Sequence, residues 1–221
     1  MIRGISAIKI NALGRLLLLA RSFLLVILVS QAAGANPPKQ LTNVINHFMN
    51  MEATSIEIQQ TIDWRFSSNN DTINFKMNIK AGRNFHISMA SFGMEIYVSE
   101  NEMMTINHLR QQVLYEDASP DALLKQLFVG GDLNDARFKK ETKVETDLRQ
   151  LDFKFSGDFS DWQSLTVFVD ASDDLKKLNL IDYDGNKYLI NLKYLENYDN
   201  FNMPDIKQEY LHYQIADLRS L

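Results

Sequence analysis

Alternation of apolar and polar residues is the feature that most constrains how this chain folds. Residues 56–66, IEIQQTIDWRF, place isoleucines, Gln60, Trp64 and Phe66 on one side of an extended chain and mainly polar residues on the other. A period of two residues is typical of a β-strand that buries one face. The pattern recurs at 72–79, 85–89, 92–98, 104–106 and 113–115. Short turns separate these segments, so the first half of the chain predicts a meander of six strands.

The second half of the chain predicts five more strands. They lie at about 137–145, 148–155, 163–170, 176–182 and 187–195. The Asp184-Gly185 pair predicts a hairpin between the last two strands.

The sequence predicts fewer helices than strands. Apolar residues recur at helical spacing in 39–51, a serine-proline pair at 119–120 opens a second helix, and a third, short helical turn is expected soon after it.

These elements together predict a mainly β fold with an α-helical lid. Twist accumulates across a sheet, so a sheet of about eleven strands curls on itself. The concave apolar face of such a sheet needs filling, and two or three short helices are the elements available to fill it. We therefore expect an incomplete, half-open antiparallel β-barrel covered by these helices.

The first 35 residues have the layout of a secretory signal peptide. Basic residues precede the apolar run FLLVILV at 23–29, and small residues end the segment at Ala35. We expect cleavage after Ala35, which leaves 36–221 as one domain with a sizeable core. The alternative is an uncleaved membrane anchor. Arg21 interrupts the apolar stretch, however, and leaves it shorter than the roughly 20 residues that span a bilayer.

Composition and charge exclude several classes of protein. The chain has no cysteine, so a disulfide framework, a thiol-based metal site and a lipid-modified cysteine are impossible. Removal of residues 1–35 takes away four basic residues and no acidic one, leaving 19 basic against 28 acidic residues and a formal charge of −9. That balance opposes nucleic-acid binding, which depends on Lys and Arg at phosphates.

The residue patterns offer little catalytic or metal-binding chemistry. The four histidines, His47, His86, His108 and His212, show no metal-ligand spacing, and no HExxH motif occurs. Neither a GxSxG elbow nor a Gly-rich phosphate loop is present. We therefore expect no catalytic residue, no metal and no cofactor, and we expect a binding protein that is not an enzyme.

The order of the elements resembles the LolA/LolB-like family of periplasmic lipoprotein carriers. Three segments carry the resemblance: YVSENEMMTINHLRQQVLY at 97–115, DALLKQLFVGGDLNDARF at 121–138, and the final hairpin at 169–195. The resemblance runs from about residue 41 to 204 and leaves 205–221 as a C-terminal extension. Alternation at Leu211, Tyr213 and Ile215 favours an added edge strand there, although a helix is nearly as well supported.

The resemblance implies a monomeric periplasmic carrier that moves lipoproteins from the inner to the outer membrane. In this family a helical lid closes an apolar cavity that shelters acyl chains. The implied partners are outer-membrane-directed lipoproteins, an inner-membrane lipoprotein-release complex and an outer-membrane acceptor. An arginine of the family holds the lid shut. Arg83 is the nearest match for such a lid latch, although the family's neighbouring proline is absent.

The acyl-chain cavity is expected between the apolar face of the sheet and the second helix. Its predicted lining is Trp64, Phe75, Met77, Phe85, Ile87, Met89, Phe92, Met94, Ile96, Met104, Ile106, Leu123 and Leu127. Methionine is unbranched and adaptable, which suits a surface that collapses when empty and parts when filled. The alternative is that the methionines fill a fixed core.

Other functions stay open. A protein of this fold could bind or sense another lipid or an envelope partner, as the sensor RseB does. The receptor LolB shares the fold but is anchored through an acylated cysteine, which this chain lacks. A lipid-acting hydrolase is the weakest alternative, because no activated nucleophile is evident.

Overall fold

The computed structural model describes residues 38–49, 51–80, 84–99, 102–117, 136–156 and 162–219. These ranges begin with a helix, α1 (Lys39–Met49). The strands within them are β1 (Thr54–Asp63), β2 (Asn70–Lys80), β3 (Asn84–Met89), β4 (Met94–Val98), β5 (Glu102–Asn107), β6 (Gln112–Asp117), β7 (Ala136–Glu145), β8 (Leu148–Phe155), β9 (Trp162–Asp170), β10 (Leu175–Asp182), β11 (Lys187–Leu195) and β12 (Gln214–Asp217). A 3-10 turn (Ala90–Phe92) joins β3 to β4, and a short helix, α2 (Ile206–Glu209), precedes β12.

One sheet contains all twelve strands of the described ranges. Their spatial order is β12-β6-β5-β4-β3-β2-β1-β11-β10-β9-β8-β7. Neighbours run antiparallel, except that β12 runs parallel to β6. The two edge strands, β12 and β7, are not paired with each other in this order, so the sheet is open. The expected fold class, a mainly β half-open barrel with short helices, is confirmed with one strand more than expected.

Sequence periodicity locates the strand boundaries to within two residues, except at the end of β1, which the structure places at Asp63 rather than at residue 66. Strands β8 and β11 have the bounds expected from sequence, and β9 and β10 each begin one residue earlier. The additional strand is β12, in the C-terminal extension, for which the sequence supports either a strand or a helix. The structure contains both there, α2 followed by β12.

Phe66 departs from the expected apolar face. It is 88% exposed, because β1 ends at Asp63 and the chain turns away from the sheet.

Buried apolar side chains form two clusters on opposite faces of the sheet. The larger one, here called the inner core, joins α1 to one face of most strands. The smaller one, here called the outer core, lies on the other face of β4, β5 and β6. It contains Tyr97, Met104, Ile106, Val113 and Ile206, with Phe201, Met203, Tyr210, Tyr213 and Tyr115 packed against them. The C-terminal extension therefore supplies much of this second core.

Helix α1 lies on the concave side because one of its faces is apolar. Leu41, Val44, Ile45 and Phe48 follow helical spacing, and none of them is more than 3% exposed. On the solvent side, His47 Nε2 lies 2.9 Å from Asp174 Oδ1 in the turn between β9 and β10. The helix predicted at 39–51 is thus present and fills part of the inner face.

Three features predicted from the sequence fall on residues outside the described ranges. The signal peptide at 1–35, its cleavage point and the helix predicted from 119 lie outside the described residues. Of the helices that the structure describes, neither combines the length and the apolar character needed to cross a bilayer.

Candidate functional site

Cross-strand register defines the inner face of the sheet. Residues paired in adjacent antiparallel strands point to the same side. One such row consists of Ile56, Met77, Ile87 and Ile96 on β1 to β4. All four belong to the inner core that also contains α1. The inner face is therefore an apolar surface that runs continuously across neighbouring strands.

Most residues predicted to line an acyl-chain cavity lie on this inner face. Phe75, Met77, Phe85, Ile87, Met89 and Ile96 are buried in the inner core. Trp64, Phe92 and Met94 are partly buried and pack against it. The structure brings these side chains together, and their contact with an acyl chain stays a prediction.

Met104 and Ile106 lie on the opposite face, so their expected place on the inner face is wrong. Met104 pairs with Tyr97 and Ile106 with Glu95, and both are fully buried in the outer core. Met103 faces the inner side instead, where it pairs with Val98. The C-terminal extension buries the outer face here, so apolar residues occupy both sides of β5 and alternation cannot distinguish them.

Three further predicted site residues lie outside the described ranges. They are Leu123 and Leu127, expected in the lid, and Arg83, the lid-latch candidate. Their roles stay predictions.

Gln60 places a polar group within the inner face. It lies in the middle of β1, where it pairs with Ile73 of β2 and Ile190 of β11. The residue is 0% exposed. Its Nε2 and Oε1 atoms have no hydrogen-bond partner within the structure as described.

A chain of hydrogen bonds crosses the outer face of β1, β2 and β3. Ser55 Oγ donates to Asn78 Oδ1 at 2.7 Å and accepts from the backbone N–H of Asp199 at 3.0 Å. Asn78 Nδ2 lies 3.4 Å from His86 Nδ1. These contacts join the segment that follows β11 to the first three strands.

Glu95 on β4 extends this chain to a second histidine. Its Oε2 accepts from His86 Nε2 at 3.0 Å and from Tyr97 OH at 2.6 Å. Its Oε1 lies 2.9 Å from His108 Nε2, and His108 Nδ1 lies 3.0 Å from Tyr213 OH. An ionised carboxylate only accepts hydrogen bonds, so the two Nε2 atoms are assigned as donors. We call these five residues the Glu95 cluster.

Hydrogen bonding dominates the electrostatics of the Glu95 cluster. The bond from His86 lowers the pKa of Glu95 against the opposing effect of burial, and the bonds from Tyr97 and His108 lower it further, to about 2 from an ordinary 4.5. Burial and the bond to Glu95 raise the pKa of Tyr97, so its hydroxyl remains a donor. The cluster thus fastens Tyr213 of the C-terminal extension to the sheet.

Contacts between neighbouring strands and turns, rather than spacing along the chain, assemble the Glu95 cluster. A hairpin closed at Met89 and Met94 pairs His86 with Tyr97 and Ser88 with Glu95, so His86 lies diagonally from Glu95, two residues out of register. His108 lies in the turn between β5 and β6 and reaches the same carboxylate. Spacing along the chain does not reveal the arrangement, because the contacts run across strands.

The outer face also carries a groove of about 650 Å³. Glu57, Lys76 and Lys193 are among the residues that line it, together with parts of β3. Since these charged side chains face away from the inner core, the groove is not the expected acyl-chain cavity. In the ranges that the structure describes, no group of three or more His, Asp or Glu side chains is arranged to hold a metal ion.

Comparison with known proteins finds similarity in structure. No family model matches this chain, and no curated protein matches it. An uncharacterized conserved protein from Thermus thermophilus is similar with a TM-score of 0.50 and 10% identity, over 81% of this chain and 99% of that chain. A LolA superfamily protein from Nitrosomonas europaea gives a TM-score of 0.35 at 10% identity, over 74% of this chain and 94% of that chain. The lipoprotein LppX from Mycobacterium tuberculosis gives 0.36 at 10% identity, over 74% and 98%. The similarity to the Thermus thermophilus protein shows a shared fold. The TM-scores of the other two structures are too low to support a conclusion about function.

Proposed function

We propose that this protein binds acyl chains on its inner face and carries lipoproteins from the inner to the outer membrane. The observation that carries the proposal is a continuous apolar face in a sheet that remains open. Methionines from neighbouring strands, Met77, Met89 and Met103, are buried in that face. Such side chains can repack around a visiting hydrocarbon chain.

The energetics of transfer suit an adaptable surface. Removing an acyl chain of about sixteen carbons from a membrane costs roughly 12 kcal/mol, at about 0.8 kcal/mol for each methylene group. A carrier has to offset most of that cost and still release its cargo. A rigid, closely packed site would bind too tightly, whereas methionines that contact each other in the empty state can separate as the chain enters.

The proposed carrier function places the protein in the periplasm and gives it partners at both membranes. The protein acts in the periplasm as a monomer, after cleavage at Ala35. It receives outer-membrane-directed lipoproteins from an inner-membrane release complex and delivers them to an outer-membrane acceptor. Arg83 acts as the lid latch, and Leu123 and Leu127 complete the cavity. The role is binding and transport, without a cofactor and without catalysis.

Site-specific photocross-linking tests the binding face directly. Met103 and Met104 are adjacent on β5 but face the inner and outer cores, respectively. A photoreactive residue at 103 should cross-link to a bound lipoprotein acyl chain, and the same residue at 104 should cross-link to the C-terminal extension. Equal lipid labelling at both positions, or labelling at 104 alone, would contradict the proposal.

Transfer between membranes tests the carrier role separately. Protein incubated with vesicles that contain the inner-membrane release complex and a triacylated lipoprotein should take up that lipoprotein in a protein-bound form and pass it to vesicles that carry the outer-membrane acceptor. Native mass spectrometry of protein purified from its own cells should show the bound lipoprotein. A complex with a free lipid alone would favour the alternative, a lipid-binding or sensor protein of the same fold.

A further inference from the structure

Ser55, Gln60 and Asn78 are the buried polar residues of the described ranges, and Gln60 differs from the other two in its hydrogen bonding. Asn179 Oδ1 also has no partner there, but that residue is only partly buried. Ser55 and Asn78 are also buried, but they are bonded to each other, and Ser55 also binds the backbone of Asp199. Gln60 is equally buried, yet its Nε2 and Oε1 make no hydrogen bond there. A buried amide without a partner is unfavourable, and native proteins rarely leave one unbonded, so a water or a ligand should meet Gln60.

The surroundings of Gln60 restrict what could bind it. Ile73 and Ile190 flank it across the strands, and Ile58 and Ile62 flank it on the same face of β1. All four are buried in the inner core. A charged ligand group would find no compensating charge among these neighbours, so the matching group is neutral and is joined to an apolar body.

We propose that Gln60 donates a hydrogen bond from Nε2 to the carbonyl oxygen of an ester- or amide-linked acyl chain. This inference rests on the proposed acyl-chain carrier function and adds a specificity-determining residue to it. The carbonyl is the neutral acceptor that ester- and amide-linked acyl chains share. An acyl amide is trans, so its N–H points away from its C=O and the planar carboxamide of Gln60 bonds the carbonyl alone in either linkage.

Three matched probes isolate the carbonyl. They are 1-palmitoyl lysophosphatidylcholine, its amide analogue with N–H in place of the ester oxygen, and the 1-hexadecyl ether that lacks the carbonyl oxygen. Each is titrated below its micelle concentration by calorimetry. The wild-type protein should bind the ester about fivefold more tightly than the ether, as one net hydrogen bond predicts. The amide carries the same carbonyl, so it should also bind more tightly than the ether. An amide that binds no more tightly than the ether would contradict the inference.

The variant Gln60→Met keeps the length of the side chain and removes its polar atoms. The ester-to-ether ratio should fall to about one, and the melting temperature of the empty protein should rise, because an unpartnered amide is removed. The matched control is Gln59→Met, the same change on the opposite face of β1, where the side chain is exposed and bonded to Asn74. It should keep the wild-type ratio. If Gln60→Met does not fold, Gln60→Leu provides the same comparison.

The outcomes separate this inference from the function on which it rests. A wild-type ratio of one, or an unchanged ratio in both Gln60 variants, overturns the role of Gln60 while acyl-chain binding stands. Failure of all three probes to bind overturns the proposed function and this inference together.

Discussion

At the scale of single residues, Glu95 connects more of the outer face than any neighbour in its cluster. Its carboxylate accepts from His86, Tyr97 and His108. Glu95→Gln keeps the shape but removes the charge and replaces one acceptor oxygen with a donor nitrogen. We expect unfolding free energy to fall by about 1–2 kcal/mol, the range for charge-assisted hydrogen bonds that are partly exposed. Chemical denaturation measures the change.

The matched control is Glu57→Gln. Glu57 forms an exposed ion pair with Lys193 at 3.0 Å. Exposed pairs contribute little, so the control should change the unfolding free energy by less than about 0.5 kcal/mol. Similar losses in the two variants would mean that the Glu95 cluster does not stabilise the fold.

Glu95 also predicts a pH dependence. Its pKa is about 2 in the folded protein against an ordinary 4.5, so folding favours the ionised form. The stabilisation is complete above pH 4.5 and is lost as the pH falls from about 4.5 towards about 2. Glu95→Gln should therefore lose less stability than the wild type over this interval, as followed by thermal unfolding. Parallel profiles for wild type and variant would contradict the assignment.

Residue-level prediction from sequence succeeds where one face is exposed and fails where both are buried. Ile56, Ile58 and Ile62 alternate with exposed residues, and their burial is predicted correctly. Met103 and Met104 are adjacent, and each is buried on its own side of β5. The alternation pattern around Met103 and Met104 cannot show which side each one faces. The segment that covers the outer face comes from residues about a hundred positions later in the chain.

At the scale of elements, the C-terminal extension behaves as a strap across the outer face. Ile206 of α2 is 4% exposed and anchors it in the outer core. Ile206→Ala should reduce the unfolding free energy by about 2–4 kcal/mol, because it leaves a cavity that the strap cannot close. Hydrogen exchange should also become faster in β12 and β6. Leu211, 81% exposed in the same segment, is the control, and Leu211→Ala should leave both measurements near wild type.

The sequence predicts the β10–β11 hairpin correctly, but it does not predict the parallel strand in the C-terminal extension. Strands β10 and β11 are joined by a turn in which Gly185 has a φ of 82°, as the Asp184-Gly185 pair predicts. Strand β12 pairs with β6 through only four residues and runs parallel to it. Periodicity over so short a segment is weak, and a parallel partner cannot be inferred from a turn. The sequence therefore supports a strand and a helix about equally in the extension.

At the scale of the whole molecule, stability should decrease from the centre of the sheet to its edges. Strand β1 lies between β2 and β11 and pairs with both along most of its length. Strand β7 is an edge strand whose residues after Ala136 are mainly exposed. In native-state hydrogen exchange, amides of β1, β2 and β11 should exchange only through global unfolding, and those of β7 and β12 through local opening of lower free energy. Exchange of β12 as slow as that of β1 would contradict this order.

The position of β1 also determines when the sheet can be completed. Ser55 pairs with Leu195, so the two central neighbours lie at almost opposite ends of the described chain. Strands β1 to β6 can pair through local turns as they are synthesised, but the second edge of β1 has no partner until residues 187–195 exist. Contacts this distant in sequence form slowly, and an unpaired strand edge promotes association between chains. A nascent chain that stalls before residue 187 therefore carries two separate parts of the sheet with open edges, which can pair with another copy of the chain.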